Sequence, residues 1–260
     1  MRQFESSVAL ISGGAGGIGA ATASLLIERG ATVVIGDLRE PGPDSFPGTA
    51  RPEFTVLDVT SEQSWKQAVE DIVKRYGKLD VLVNAAGIVG DVVAGSLEQT
   101  TLADWHKVMA VNLDGTFLGC REAALVMGTQ ERGAIVNVSS LGAYYPTVQS
   151  VAYGASKGAV TQLTKSVALF GSENGRRIRC NSVHPGRTAT PMLQSIADQM
   201  VERRAQTGTT LVASSASRIP LGPAGTPEDA ARLIAFLASR EADYITGAEF
   251  VVDGGWSLLR

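Results

Sequence analysis

The chain has 260 residues, 44% hydrophobic and 19% charged, which suits a substantial α/β core and excludes a disordered chain. A formal net charge of −3 argues against nucleic acid as the main partner, and no apolar run reaches the length of a membrane span. The two cysteines, Cys120 and Cys180, lie far apart in apolar segments and read as buried free thiols. No C-x-x-C pair or His-rich cluster points to a metal, and the N-terminus has no signal-peptide profile, so the cytoplasm is the expected compartment.

Short β-branched runs alternate with helical patterns along the chain. Strands are predicted at Ser7–Ile11, Thr32–Asp37, Glu53–Leu57, Val81–Asn84, Ala134–Val138, Ile178–Val183 and Glu249–Val252. They are almost continuously apolar, as parallel strands covered on both faces are. Helices are predicted at Gly17–Arg29, Glu62–Tyr76, Leu102–Gly128, Tyr153–Gly171, Met192–Ala205 and Pro227–Ala238, the last with Thr226 as N-cap and Pro227 at the first helical position. The crossover from Leu38 to Pro52 carries Pro41, Pro43, Pro47 and Pro52, so an irregular loop is expected there. This alternation predicts one α/β domain over residues 1–260, a doubly wound parallel sheet of seven strands with helices on both faces.

The first strand runs into Ser12-Gly13-Gly14-Ala15-Gly16-Gly17-Ile18-Gly19 and then a helix. Gly13 suits a tight turn. Gly17 and Gly19 allow backbone to approach a pyrophosphate at the helix N-terminus, beside Ile18. Asp37, followed by Leu38, ends the second strand eighteen residues after Gly19, where an acid accepts hydrogen bonds from ribose hydroxyls and repels a 2′-phosphate. NAD is therefore favoured over NADP, with Arg39 as the contrary sign. Tyr153 and Lys157, four apart, share one helix face. Two charges about 4 Å apart interact by roughly 4 kcal/mol at an effective dielectric of 20, enough to draw a phenol from about 10 towards 7. Tyr153 is thereby a candidate acid/base near neutral pH.

With these motifs in order, the chain resembles the short-chain dehydrogenase/reductase family along essentially its whole length. The resemblance rests on the glycine loop, Asp58-Val59, Asn84-Ala85-Ala86-Gly87, Asn112, Ser140, Tyr153 with Lys157, Pro185-Gly186-Arg187-Thr188-Ala189-Thr190, and Val252-Asp253-Gly254-Gly255. Ser12 and Ala85 depart mildly from the family pattern. The resemblance implies a Rossmann fold and hydride transfer between NAD and an alcohol or ketone. It implies Tyr153 as acid/base, Ser140 polarising the substrate oxygen, Lys157 lowering the Tyr153 pKa and holding ribose hydroxyls, and Asn112 anchoring a water in a proton relay. Asp58, Val59, Asn84, Ala85, Gly87, Pro185, Gly186, Thr188 and Thr190 would complete the cofactor site. It also implies a homotetramer, with Leu102–Gly128 and Tyr153–Gly171 as candidate contacts.

Selectivity is expected from Met192 to about Arg218, with Ile88–Val93 and Leu141–Gln149 as the other walls. Leu141, Tyr145, Met192 and Leu193 are the candidate substrate contacts. No cluster of Arg or Lys suits a phosphate or CoA tail, so an apolar secondary alcohol or ketone is favoured, with a looser likeness to hydroxysteroid and cyclic-alcohol dehydrogenases. The competing readings are an NADPH-dependent ketone reductase and a non-catalytic NAD-sensing protein. A sugar-nucleotide epimerase would need a larger C-terminal domain. His184 reads as a satisfied structural histidine, Tyr144 as a cleft or loop-packing residue, and Arg176, Arg177 and Arg179 as a solvated turn.

Overall fold

The computed structural model describes residues 3–42, 45–46, 48, 50–130, 132–207 and 219–259, with backbone only for 202–207. Seven strands form one parallel sheet: β1 (Val8–Ser12), β2 (Thr32–Asp37), β3 (Glu53–Val56), β4 (Val81–Asn84), β5 (Gly133–Val138), β6 (Ile178–Pro185) and β7 (Glu249–Val252). Their order is β3-β2-β1-β4-β5-β6-β7, so the order of strand addition reverses between β1 and β4. In such sheets the crevice at the carboxyl ends of the strands, at that switch point, is where ligands bind.

The helices are α1 (Gly17–Glu28), α2 (Glu62–Tyr76), α3 (Leu102–Met109), α4 (Gly115–Met127), α5 (Val151–Ser172), α6 (Pro191–Thr207) and α7 (Pro227–Ala238). The alternating faces of the strands feed two cores. Leu10, Val34, Leu82 and Ile135 join Trp65 and Leu118 on one side; Ile11, Ile35, Val83 and Val136 join Leu26 and Ile234 on the other. Thr226 caps α7 in a capping box with Asp229, and Pro227 stands at its start.

Three expectations need correction. The single helix predicted over Leu102–Gly128 is interrupted by a π-helical turn at Ala110–Asp114, which contains Asn112. Such turns place one extra residue in a helix and carry no strong composition signal. β6 extends through His184 and Pro185, because backbone pairing with β7 continues to Pro185↔Val252. Arg179 is not solvated: its guanidinium donates to the carbonyls of Leu237 and Ser239 at 2.7 and 2.8 Å, supplying partners for chain-end carbonyls of α7. The described part of the Leu38–Pro52 crossover contains no α-helix, while Pro43 and Pro47 lie outside the described residues.

Behind the sheet, α4 approaches β4 at Gly119. A Cβ there would lie 2.5 Å from Asn84 Oδ1 and 2.6 Å from the Trp65 ring. Trp65 is fully buried and donates its indole N–H to the Val59 carbonyl at 3.0 Å, so it cannot yield cheaply. Gly119→Ala is expected to lower the unfolding free energy by about 1–3 kcal/mol, measured as a reduced urea midpoint at unchanged slope.

Candidate active site

The carboxyl ends of β1, β2, β4, β5 and β6 open into one cavity of about 690 Å³. Its first wall is the loop after β1. Gly13 has φ +67° and a Cβ there would meet Ala86 backbone at 2.6 Å; a Cβ at Gly19 would meet the Gly13 carbonyl at 2.2 Å. Only glycine fits both positions. Gly17 and Ile18 line the cavity beside them. No side chain caps α1 and no acid stands in its first turn, so its N-terminal dipole is open to an anion. Across the cleft, Thr190 Cγ2 would lie 3.4 Å from a Cβ on Gly17, which brings the Pro185–Thr190 loop opposite the glycine loop.

Asp37 stands at the end of β2, where Oδ2 accepts from Ala15 N at 3.1 Å and Oδ1 from Leu38 N at 2.8 Å. These bonds fix the carboxylate at the cavity margin while each oxygen keeps a lone pair. Leu38, Asp58 and Val59 line the same end, Ala85 and Gly87 the middle, and Pro185, Gly186 and Thr188 the opposite wall. This arrangement fits a dinucleotide: a crowded glycine turn, an open helix N-terminus and an acid at the second strand. Asn84 is the exception. Its side chain turns away from the cavity and donates to Asn137 Oδ1 at 2.9 Å, so Asn84 supports the sheet instead of lining the cofactor site.

Ser140, Tyr153 and Lys157 converge on the cavity. Ser140 follows β5, and its Oγ accepts from Gly142 N at 3.0 Å. Tyr153 occupies the first turn of α5, and Lys157 the next turn. Lys157 is 4% exposed and donates to the Val138 carbonyl at 2.8 Å. Its Nζ stands 5.8 Å from the centre of the Tyr153 ring. Ser139, next to Ser140, donates instead to the Lys157 carbonyl at 2.9 Å and ties α5 to β5. Asn112 is fully buried in the π-turn and clamps Ile88, with Oδ1 accepting from Ile88 N at 2.8 Å and Nδ2 donating to Ile88 O at 2.9 Å. Asn112 and Lys157 nevertheless meet near one point: a Cβ on Gly87 would lie 3.3 Å from Asn112 Oδ1 and 3.4 Å from Lys157 Nζ.

The electrostatics differ from the simple pairing argument. Burial pushes the Tyr153 phenol above its usual value, with the Ser140 hydroxyl acting in the opposite direction. Burial also lowers Lys157 to about 8. The ammonium is directed at Val138 O, and burial outweighs the Ser140 hydrogen bond at the phenol.

The half of the cavity away from the glycine loop is largely apolar. Leu141, Tyr145, Met192 and Leu193 all line it, joined by Val89, Val92, Ile196 and Met200. Sequence reasoning missed Trp256. Two left-handed glycines, Gly254 and Gly255, turn the chain after β7, and Asp253 accepts from Gly255 N and Ser257 N at 2.8 Å each. The turn brings the Trp256 indole edge-on to Tyr145, 5.8 Å between centres. The Asp-Gly-Gly turn followed by an aromatic was the available signal. Tyr144 lies outside the cavity lining, and residues 208–218 of the expected selectivity segment are outside the described residues.

Lys157 generates a stability prediction. Its folded pKa is depressed, so at pH 7 both folded and unfolded states are charged and the desolvation cost, on the order of 3 kcal/mol, is fully present. From about 8 to 10.5 the unfolded chain binds more protons, so this group's contribution to stability rises with pH. Lys157→Met is expected to be more thermostable than the parent near pH 7, with the difference shrinking as pH passes through that window. Matched thermal melts of the two proteins without cofactor measure it.

The family model described as enoyl-(acyl carrier protein) reductase matches residues 13–257. The chain is 39% identical over 260 residues to a 3-oxoacyl-[acyl-carrier-protein] reductase, FabG, of Thermotoga maritima, covering 97% of this chain and 98% of that protein. It is 41% identical over 250 residues to a 3-alpha-(or 20-beta)-hydroxysteroid dehydrogenase of Mycobacterium tuberculosis, covering 95% and 88%. It is 37% identical over 262 residues to an NADP-dependent (R)-specific alcohol dehydrogenase of Lentilactobacillus kefiri, covering 98% of each. With the sheet order, the glycine turn and the Ser140–Tyr153–Lys157 cluster already in place, these matches establish that the chain belongs to the short-chain dehydrogenase/reductase family of oxidoreductases.

Proposed function

We propose that this protein moves a hydride between NAD(H) and an apolar secondary alcohol or its ketone, with Tyr153 as the acid/base. The observation that carries the reading is the convergence of Ser140, Tyr153 and Lys157 at the junction between the dinucleotide cradle and the apolar half of one cavity. The nicotinamide supplies hydride chemistry when bound; the residues supply orientation and proton transfer. In reduction the Tyr153 hydroxyl gives its proton to the developing alkoxide, and burial, which keeps the phenol protonated, prepares it for that role. In oxidation the phenolate accepts the alcohol proton. The Ser140 hydroxyl donates to the substrate oxygen in either direction. Lys157 has donors left beyond its bond to Val138 O and is the residue to hold the nicotinamide ribose.

Asp37 supports NAD, because its carboxylate stands where a 2′-phosphate would be placed and Gly16 offers no cation to offset it. Arg39, exposed two residues on, and the NADP-dependent relative support the NADPH reading. The hydroxysteroid relative and the wall of Leu141, Met192, Leu193 and Trp256 support a bulky apolar substrate, steroid or cyclic alcohol. Exposed Phe117 and Leu125 on α4, Leu169 and Phe170 on α5 and Val251 on β7 suit symmetric contacts, and a homotetramer is the assembly we assign. Two free thiols accord with a reducing, cytoplasmic setting.

Fluorescence titration is expected to show NADH binding at least about tenfold tighter than NADPH, through charge repulsion at Asp37. The reverse order makes the protein an NADPH-dependent ketone reductase. On a panel of secondary alcohols and ketones, Tyr153→Phe should lower kcat by about 10²–10⁴-fold with NADH affinity within about twofold. Retained turnover removes Tyr153 from the chemistry, and NADH binding with no turnover by the parent protein assigns an NAD sensor.

A further inference from the structure

Behind Ser140, on the side away from the cavity, lies a polar cluster that hydride transfer leaves unused. The β5–β6 ladder ends at Val138↔Val183, followed by one last bond from Ser139 N to Val183 O at 2.8 Å. Ser140 is therefore beyond the sheet. Its carbonyl accepts from Ala143 N at 3.1 Å within its own turn. The only described contact that ties this carbonyl to another element is His184 Nδ1 on β6, at 3.2 Å.

The His184 ring is fully buried and engaged on every side. Ser182 Oγ stands 2.8 Å from Nε2. The Tyr144 ring stacks on the imidazole, 4.7 Å between centres and 26° from parallel. The Tyr144 hydroxyl is 3.3 Å from Nε2 and donates to Glu249 Oε2. Lys165 Nζ holds the other Glu249 oxygen at 2.6 Å. These bonds determine the tautomer. A carbonyl can only accept, so the proton shared with Ser140 is on Nδ1. Tyr144 spends its one proton on Glu249, so Nε2 is the acceptor for the Ser182 hydroxyl. Burial lowers the His184 pKa below its usual value; the bond to Ser140 O and Glu249 act against that, Lys157 and Lys165 with it, and the net direction favours the neutral ring.

We propose that His184 is a positioning residue for Ser140: its Nδ1–H, braced by Ser182 and the stacked Tyr144, fixes where the Ser140 hydroxyl stands beside Tyr153. The inference rests on the hydride-transfer reading above. Ser140 Oγ already spends one lone pair on Gly142 N, so only its proton and second lone pair serve the substrate and Tyr153. A small rotation of the Ser140 peptide redirects both, and small misplacements of catalytic groups are costly in rate. The chain Lys165–Glu249–Tyr144 holds the His184 ring in register from the protein surface.

The test uses three variants and one spectrum. Asparagine places an amide donor near the Nδ1 position, glutamine places it near Nε2, and leucine supplies none. His184→Gln and His184→Leu should lower kcat by about tenfold to a hundredfold with NADH affinity unchanged. His184→Asn should recover most of that loss. Equal kcat in the leucine variant and the parent overturns the proposal, and so does a loss shared equally by leucine and asparagine, which is what a packing role would give. The readout free of activity is nitrogen-15 NMR of labelled histidine. The chain has 2 histidines, and His106→Gln identifies which signals belong to His184. A neutral ring protonated on Nδ1 at pH 7 is expected; an Nε2–H ring overturns the proposal. An inactive parent protein with the expected tautomer refutes hydride transfer and leaves the His184–Ser140 contact standing.

Discussion

The bond from the buried Lys157 ammonium to the Val138 carbonyl holds the working part of this molecule together. It joins the second turn of α5 to the last residue of β5, and the Ser139 hydroxyl makes the reciprocal bond to the Lys157 carbonyl. With α5 fixed this way, Tyr153 one turn earlier faces Ser140 just past the strand. Burial of that ammonium costs the fold free energy that the bond only partly offsets, since a group with 4% exposure is poorly solvated. The protein retains a costly group where the proposed chemistry needs it, the usual tension between stability and activity at enzyme sites.

Around this lock, each face of the site is a continuation of the sheet. β1 and β2 deliver the glycine loop and Asp37, β4 delivers Gly87, β5 delivers Ser140, and β6 delivers the Pro185–Thr190 loop. Parallel strands end together, so residues far apart in the chain reach one cavity. The π-turn at Asn112 serves the same end. It lets a buried amide clamp Ile88 while α3 and α4 continue in line, which sets the segment after β4 against Lys157.

Beneath the cavity the sheet carries a second, purely internal polar chain. Asn137 accepts from Asn84 and donates to Thr164 at 3.0 Å, with Cys120 and Cys180 at 3.5 Å on either side. Burial pushes the Cys180 thiol well above its usual value, which makes it a packing group and not a nucleophile. This chain explains why an asparagine next to the cofactor segment turns inward: among the described residues its best partners are on β5 and α4, not in the cavity.

The sequence alone determined the parallel sheet, because almost every strand is an uninterrupted apolar run between helical patterns. It also determined the glycine loop, Asp37, and the Tyr153–Lys157 pair, because those depend on local spacing: a turn that only glycine permits, a strand end, one helix face. Tertiary structure decided everything that depends on what lies across a gap. Asn84 faces the core because Asn137 is there. Tyr153 is driven up and not down because burial exceeds the help of the Ser140 hydroxyl, while the Lys157 ammonium is tied to Val138. Trp256 enters the cavity wall only because two left-handed glycines reverse the chain, and Arg179 leaves solvent because α7 ends beside it. His184 gains its place behind Ser140 from Tyr144 and Glu249, residues 40 and 65 positions away that no local pattern brings together. Periodicity and motif spacing report what a segment prefers by itself; burial and hydrogen-bond partners come from other segments and exist only once the chain has closed on itself.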